Sequence, residues 1–308
     1  MKIATMATGG IGGYLAVKLT QAGHQVATIA RGAHLAAIRD KGLTLDGPDG
    51  VETVRPWIAT DDPAEVGAVD AVIFGVKGDG LPAAARACMP LLGPETIVVP
   101  FLNGVEASDR LLEFLPEKNV GNGVARVSTT IRAPGVIGQV GSFASFICGE
   151  RDSHPSDRIA ALRAAIIAGG AESPETDDVV RDLWIKFVLF SGMSGVTAAA
   201  RCTIGEVRAH APLAELFRGV VAETAALGRT RGVALPDGLE AQIWRSIEGL
   251  PADMRASTAI DLEHGRPLEI EWVSGAVRRL AEVSGVLAPL NGALYALLLP
   301  HRDGRSGG

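Results

Sequence analysis

The sequence predicts an α/β protein whose second part is all α. Three observations predict this. Short apolar runs alternate with helical stretches over the first half of the chain, a glycine-rich turn stands between the first such run and the first helix, and over residues 177–300 nearly every segment has helical spacing. A chain of 308 residues is long for one small core and suits two domains.

The opening residues read in order as a strand (Lys2-Ile3-Ala4-Thr5-Met6), a turn (Ala7-Thr8-Gly9-Gly10-Ile11-Gly12-Gly13), a helix to Gly23, and a strand (Val26 to Ala30) ending at Arg31. That succession is the opening unit of a Rossmann-type dinucleotide-binding domain. Gly9 lacks a Cβ, so the backbone there can approach a pyrophosphate. Gly12 lets the helix pack close to the first strand, and the helix N-terminus turns its amides and positive dipole end toward the phosphates. Residues Ala7, Thr8, Gly9, Gly10, Ile11 and Gly12 are therefore expected to contact the cofactor. Ala7 stands where the pattern has its first glycine. Alanine takes positive φ only at a cost, so a slightly altered turn is expected.

The same stretch discriminates between dinucleotides. Enzymes using NAD place an acid about 20 positions on, where it accepts the ribose 2′-hydroxyl. Here no Asp or Glu lies between Gly9 and Asp40, and the second strand ends at Arg31. A carboxylate would repel a 2′-phosphate, whereas a guanidinium can hold it through a forked, charge-assisted contact. NADPH is the expected cofactor. The plainer alternative is that Arg31 is a solvated loop charge.

Further along, residues 69–77 and 97–102 are near-continuous apolar runs, as strands covered on both faces should be. Residues 44–60 read as a hairpin around Gly47-Pro48-Asp49-Gly50. Residues 120–149 are strand-like, with turns expected at Ala133-Pro134-Gly135 and near Gly141, and a helix over 158–168 is stopped by Gly169-Gly170. The clearest later helices are 213–232, 237–249, 267–285 and 291–299. The division expected is a dinucleotide-binding domain over 1–174, an all-α domain over 175–301, and a disordered tail over 302–308.

Composition excludes several classes. The net charge of −6 leaves no electrostatic footprint for nucleic acid or an anionic membrane surface. Cys88, Cys148 and Cys202 are far apart, and the six histidines are scattered, so no metal site is expected. No apolar run approaches the ~20 residues that span a bilayer, and Gly9 to Gly13 interrupt any signal-peptide core. A cytoplasmic protein is expected.

Ligands of doubly wound sheets bind beyond the carboxyl ends of the strands. Arg31, Lys77 and Asn103 each follow an apolar run directly. Alternatively, Lys77 is a lysine at a helix start and Asn103-Gly104 a simple turn. In the second part, Leu183-Trp184-Ile185-Lys186-Phe187-Val188-Leu189-Phe190 carries a single charge. A lysine there must snorkel, pair or function, and desolvation would lower its pKa toward values useful in a proton donor. It could instead reach solvent beside Asp182. Ser257 and Asp261 share a face if their segment is helical. Glu269 is expected in the first turn of the next helix, where Glu271 could serve equally.

Taken together, these residues resemble the ketopantoate reductase (2-dehydropantoate 2-reductase) family over roughly residues 1–300. The likeness rests on Gly9-Gly10-Ile11-Gly12-Gly13-Tyr14, Ile29-Ala30-Arg31, Val76-Lys77, Leu102-Asn103-Gly104-Val105-Glu106 and Trp184-Ile185-Lys186-Phe187. It continues in Ser257-Thr258-Ala259-Ile260-Asp261 and Gly265-Arg266-Pro267-Leu268-Glu269-Ile270. The resemblance implies NADPH-dependent reduction of a 2-oxo acid to a 2-hydroxy acid, as in pantothenate biosynthesis, by a homodimer. Lys186 matches the lysine that donates the proton. Asn103 matches a residue near nicotinamide and substrate, and Glu269 the glutamate that engages the cofactor and steadies the site. Ser257 matches a serine near the substrate carboxylate; Arg31 and Lys77 match cofactor contacts. Many members carry asparagines four and eight residues after the lysine, where they bind substrate polar groups. Here Phe190 and Ser194 stand there, which points to a more apolar or differently shaped substrate than ketopantoate. Two other readings keep the scaffold: an imine or opine-type reductase, and an NADPH-binding sensor without catalysis.

Overall fold

The structure is a computed structural model and describes residues 1–305. Contacts divide the chain into two units. One comprises Met1–Leu102 and Ala107–Asp182; the other comprises Asn103–Glu106 and the chain from Leu183 onward.

In the first unit the chain runs β1 (Lys2–Met6), α1 (Gly10–Gln21), β2 (Gln25–Ile29), α2 (Gly32–Lys41), β3 (Leu43–Gly47), β4 (Gly50–Val54), β5 (Ile58–Thr60), β6 (Val69–Phe74), α3 (Leu81–Cys88), β7 (Leu92–Pro100), α4 (Ala107–Leu111), β8 (Gly121–Ala133), β9 (Val136–Glu150) and α5 (Asp157–Ala168). Strands β5-β2-β1-β6-β7 form an all-parallel sheet. Its apolar runs are buried on both faces, as shown by Ile3, Ala4, Val26, Ile73 and Val99 at zero exposure. Strand order reverses on either side of β1, so the turn after β1 opens at the topological switch point where such sheets take ligands.

The expected hairpin of β3 and β4 forms, and β3 also pairs in parallel with β9 (Thr44 against Val136). One mixed sheet, β4-β3-β9-β8, results. Gly141 does not turn the chain. It lies inside β9 with φ +70°, where the register against β8 shifts between Arg126 and Ser128; the left-handed residue makes a bulge in a continuing strand. The mixed sheet packs against α1. A Cβ on Gly10 would come within 2.7 Å of the Thr129 carbonyl oxygen, and one on Gly13 within 2.5 Å of Ile137. Both glycines thus serve helix–sheet contact.

Glu150, at the end of β9, is buried and accepts hydrogen bonds from Arg158 Nε and Nη2 at 2.7 Å each and from Ser156 Oγ at 2.6 Å. Burial alone would push its carboxyl up, but these donors outweigh it and hold the carboxyl below its ordinary value. The folded-state value is then lower than the unfolded one. The stabilisation is present above the ordinary carboxylate range near about pH 4–5 and is lost as pH falls through the folded-state value. Lowering the pH from 6 to 3 in thermal melts should destabilise the wild type more steeply than Glu150→Gln; parallel curves would remove Glu150 from the acid response.

The second unit is helical: α6 (Val179–Ala199), α7 (Ile204–Ala209), α8 (Ala211–Thr230), α9 (Leu239–Glu248), α10 (Ser257–Glu263), α11 (Ser274–Ser284) and α12 (Pro289–Leu298). Three expectations need correction. The division falls at Asp182/Leu183 rather than at residue 174, because the start of α6 is tied to the first unit, where Val179 N–H donates to Ser153 Oγ. The predicted helix over 267–285 starts only at Ser274. Residues Ile270–Trp272 instead make a tight three-residue turn, closed by Trp272 N–H to Glu269 C=O, and Val273 at φ −117°, ψ −97° breaks the path. Of the predicted tail, residues 302–305 are held in place: Leu268 N–H donates to Arg302 C=O and Arg305 N–H to Gly265 C=O. Residues 306–308 lie outside the described residues.

Among the described residues, no helix is long and apolar enough to cross a membrane, and no group of histidines, cysteines and acids could hold a metal ion. The three cysteines are free and buried, and burial pushes the thiols of Cys88 and Cys148 up to about 12.

Candidate active site

Two constellations carry chemistry, one in each unit. In the first unit, α1 begins at Gly10 with Gly9 as its N-cap. No side chain bonds to that end, and no acid occupies its first turn. The positive end of the helix is left uncapped by protein side chains, as an anion site requires. A Cβ on Gly12 would collide with the Ala7 carbonyl oxygen and touch Thr5 of β1, so the helix can sit this close only because the residue is glycine. A Cβ on Gly9 would find nothing nearer than 3.8 Å, and the backbone there is open to approach. Ala7 is not in the left-handed region. Thr8 turns inward: its hydroxyl lies 2.8 Å from that of Thr5, and its amide donates to Ile29 C=O. The hydroxyl and amide of Thr8 are thus both engaged within the protein.

Arg31 caps α2 and is exposed just past β2. Lys77 is exposed three residues past β6. His34, which the sequence pattern did not single out, accepts a hydrogen bond from Gly135 N–H at 3.0 Å, and burial lowers its pKa below the ordinary imidazole value.

The second unit brings three predicted residues together. Lys186 lies on α6, whose neighbouring Trp184, Phe187 and Val188 are buried. Its Nζ donates to Asn103 Oδ1 at 3.2 Å, and Asn103 Nδ2 donates to Glu269 Oε2 at 3.3 Å. These partners orient the Asn103 amide without ambiguity. An ammonium can only donate and a carboxylate can only accept, so the amide oxygen must face Lys186 and the NH2 must face Glu269. The Phe190 ring lies on the same helix face, its centroid 5.8 Å from Lys186 Nζ.

Asn103 reaches this place through a tight backbone contact. Gly104 has φ +88°, and a Cβ there would collide with the Trp272 carbonyl oxygen. Of the two nearby acids, Glu269 faces Asn103, while Glu271 is bound by Tyr295 and Arg279. Ser257, expected near the substrate carboxylate, lies on α10. It is exposed at the first position of α10, and its neighbour Thr258, 4% exposed, lies with its hydroxyl 2.6 Å from that of Ser194, itself 2% exposed. Thr258 had no signal in the sequence beyond adjacency, because only the starting phase of α10 decides which residue faces inward.

A parallel sheet with a glycine turn uncapped by side chains, and a lysine bonded to an amide that a carboxylate holds in turn, are the features expected of a dinucleotide-binding oxidoreductase. Comparison with known proteins narrows the class. The model of the family "Ketopantoate reductase PanE/ApbA" matches residues 3–153, and that of its C-terminal domain matches residues 178–301. The chain belongs to the ketopantoate reductase family. A 2-dehydropantoate 2-reductase of Mesorhizobium japonicum is 30% identical over 97% of each chain, and one of Halobacterium salinarum is 29% identical over 96% of this chain and 95% of that one. The crystal structure of a PanE/ApbA family ketopantoate reductase from Ralstonia eutropha superposes with a TM-score of 0.88, at 32% identity over 98% of both chains.

Proposed function

We propose that this protein reduces a 2-oxo acid to the 2-hydroxy acid with NADPH, with Lys186 as the general acid. The observation that carries the reading is the Lys186–Asn103–Glu269 chain, in which an ammonium on an apolar helix is aimed by an amide that a carboxylate orients. When bound, NADPH supplies the hydride. Residues Gly9 to Gly12 at the α1 N-terminus fit its pyrophosphate, Arg31 fits the 2′-phosphate, and Lys77 adds a further cation. Thr8 contributes shape to that turn, through its bonds to Thr5 and Ile29, in place of a ligand contact.

The residues of the helical unit handle the proton. As negative charge develops on the substrate carbonyl oxygen, Lys186 stabilises it and then transfers a proton to it, becoming the neutral amine. Asn103 and Glu269 limit where the ammonium can point. Phe190 meets the substituent of whatever carbonyl sits at Lys186. Ser194 and Thr258 satisfy one another, so they offer the substrate little polar recognition. The reading therefore favours an apolar substituent over one rich in hydroxyls, and takes the enzyme to be a cytoplasmic homodimer.

The test is a panel of 2-oxo acids followed at the NADPH absorbance, each with and without an amine. Turnover without amine is expected, with apolar substituents preferred over ketopantoate. Phe190→Asn should shift that preference toward ketopantoate by about 10-fold or more, the size of gaining or losing one side-chain contact in a pocket. Turnover only with amine would indicate an imine or opine-type reductase. Tight NADPH binding without turnover on any acid would indicate a sensor. A ketopantoate preference unmoved by Phe190→Asn would remove Phe190 from substrate selection.

A further inference from the structure

Two stretches far apart in sequence meet at the Lys186–Asn103–Glu269 chain: residues 103–106 and residues 269–272. The hydrogen bond between Asn103 and Glu269 is long, at 3.3 Å. Two further fastenings join the same stretches. One is the close backbone approach of Gly104 to the Trp272 carbonyl. The other is Arg279, on α11. Its Nη2 donates to Glu106 Oε2 at 2.8 Å and to the Glu271 backbone carbonyl at 2.9 Å, and its Nη1 donates to Glu271 Oε2 at 3.1 Å. The remaining Glu271 oxygen accepts from Tyr295 Oη at 2.6 Å. Arg279 thus grips one stretch three residues past Asn103 and the other two residues past Glu269, with Glu106 only 17% exposed.

We propose that Arg279 is a positioning residue for the reaction: by tying residues 103–106 to residues 269–272, it keeps the Asn103 amide in register between Lys186 and Glu269. The proposal rests on the reading of Lys186 as the general acid. Bridging two carboxylates and a carbonyl from one side chain needs the planar fork of a guanidinium; an ammonium, as a point donor, cannot span all three. Without Arg279, the fastening between Glu106 and Glu271 is lost, the 103–106 stretch loosens, and the amide that holds the Lys186 ammonium drifts. A change far from the chemistry that misplaces a reacting group by about 1 Å can lower a rate by about 10²-fold.

The experiment uses the full-length enzyme with NADPH and its best 2-oxo acid. Arg279→Met should lower kcat by about 10–100-fold while the Kd for NADPH stays near wild type. Arg279→Lys should recover part of that loss. The decisive readout is a cycle with Asn103→Ala. Because Arg279 acts through Asn103, the double variant should be no slower than Asn103→Ala alone. Losses that multiply, or an Arg279→Met kcat equal to wild type, would overturn the proposal. Should Arg279→Met fold poorly, Glu106→Gln, which removes the charge and keeps the shape, must show the same non-additivity with Asn103→Ala. Lys186→Ala run in parallel separates the two claims. If it is inactive while Arg279→Met is fully active, the clamp fails alone; if it is fully active, the reading of Lys186 fails.

Discussion

Replacing Lys186 with alanine should lower kcat by about 10²–10⁴-fold, the range for losing a positioned general acid, while NADPH still binds. The expectation follows from what each unit contributes. The glycine turn and the N-terminus of α1 belong to the first unit, whereas Lys186 belongs to the second. The ammonium is held by Asn103, and Asn103 by Glu269, within the second. Alanine removes the only proton donor in that chain that can go from charged to neutral in one step. Lys186→Arg makes the test sharper. A guanidinium keeps the positive charge, so it can still stabilise the developing oxyanion, but it does not deprotonate in proteins. If proton donation dominates, the arginine variant should be nearly as slow as the alanine variant; if charge alone dominates, it should recover most of the rate. Cofactor binding read by nucleotide fluorescence, alongside single-turnover rates, separates these outcomes. A wild-type rate in Lys186→Ala would remove the lysine from the chemistry.

The sequence made legible those parts of the fold that local pattern controls. The strands β1 and β6 and the end of β7 announce themselves as near-continuous apolar runs because a parallel sheet hides both faces, and the glycine turn is marked by its place between a strand and a helix. What pairs at a distance was not legible. Nothing in residues 43–47 says that β3 will lie parallel to β9, nor that Gly10 and Gly13 leave room for that sheet. Helical spacing over 267–285 does not distinguish an α-helix from a three-residue turn followed by a break at Val273, since both place apolar side chains at intervals of three. Of the candidate site, Lys186 was legible as a charge in an apolar octet. Glu269 and Glu271 looked equivalent in sequence, and only their partners, Asn103 for one and Tyr295 with Arg279 for the other, tell them apart. Asn103 follows a strand of the first unit yet packs with the helical unit, an allegiance fixed by Gly104 against Trp272 that no local signal encodes.

Arg31→Ala should raise the Kd of NADPH by about 10–100-fold, as expected for losing charge-assisted hydrogen bonds to a phosphate, and leave NADH nearly unchanged. The two cofactors differ only at the adenosine ribose, where one carries a phosphate dianion and the other a hydroxyl. Arg31 is the first residue past Ala30, whose amide is tied to Thr60 C=O at 3.0 Å, so the backbone that presents the guanidinium is fixed while the side chain stays exposed. No carboxylate lies between Gly9 and Asp40 to accept a 2′-hydroxyl, so on the proposed reading Arg31 meets the 2′-phosphate without a competing acid in that stretch. Two consequences follow. Because Arg31 is solvent-exposed, the discrimination should shrink as salt rises, since exposed charges are screened within about 8 Å at physiological ionic strength. Arg31→Asp should go further than alanine: its carboxylate repels the 2′-phosphate and can accept the 2′-hydroxyl, so the preference should invert toward NADH. Titrating both nucleotides into the three proteins at two salt concentrations decides the matter. If alanine weakens NADPH and NADH equally, Arg31 supports the loop and reads nothing, and the NADPH assignment loses its physical basis.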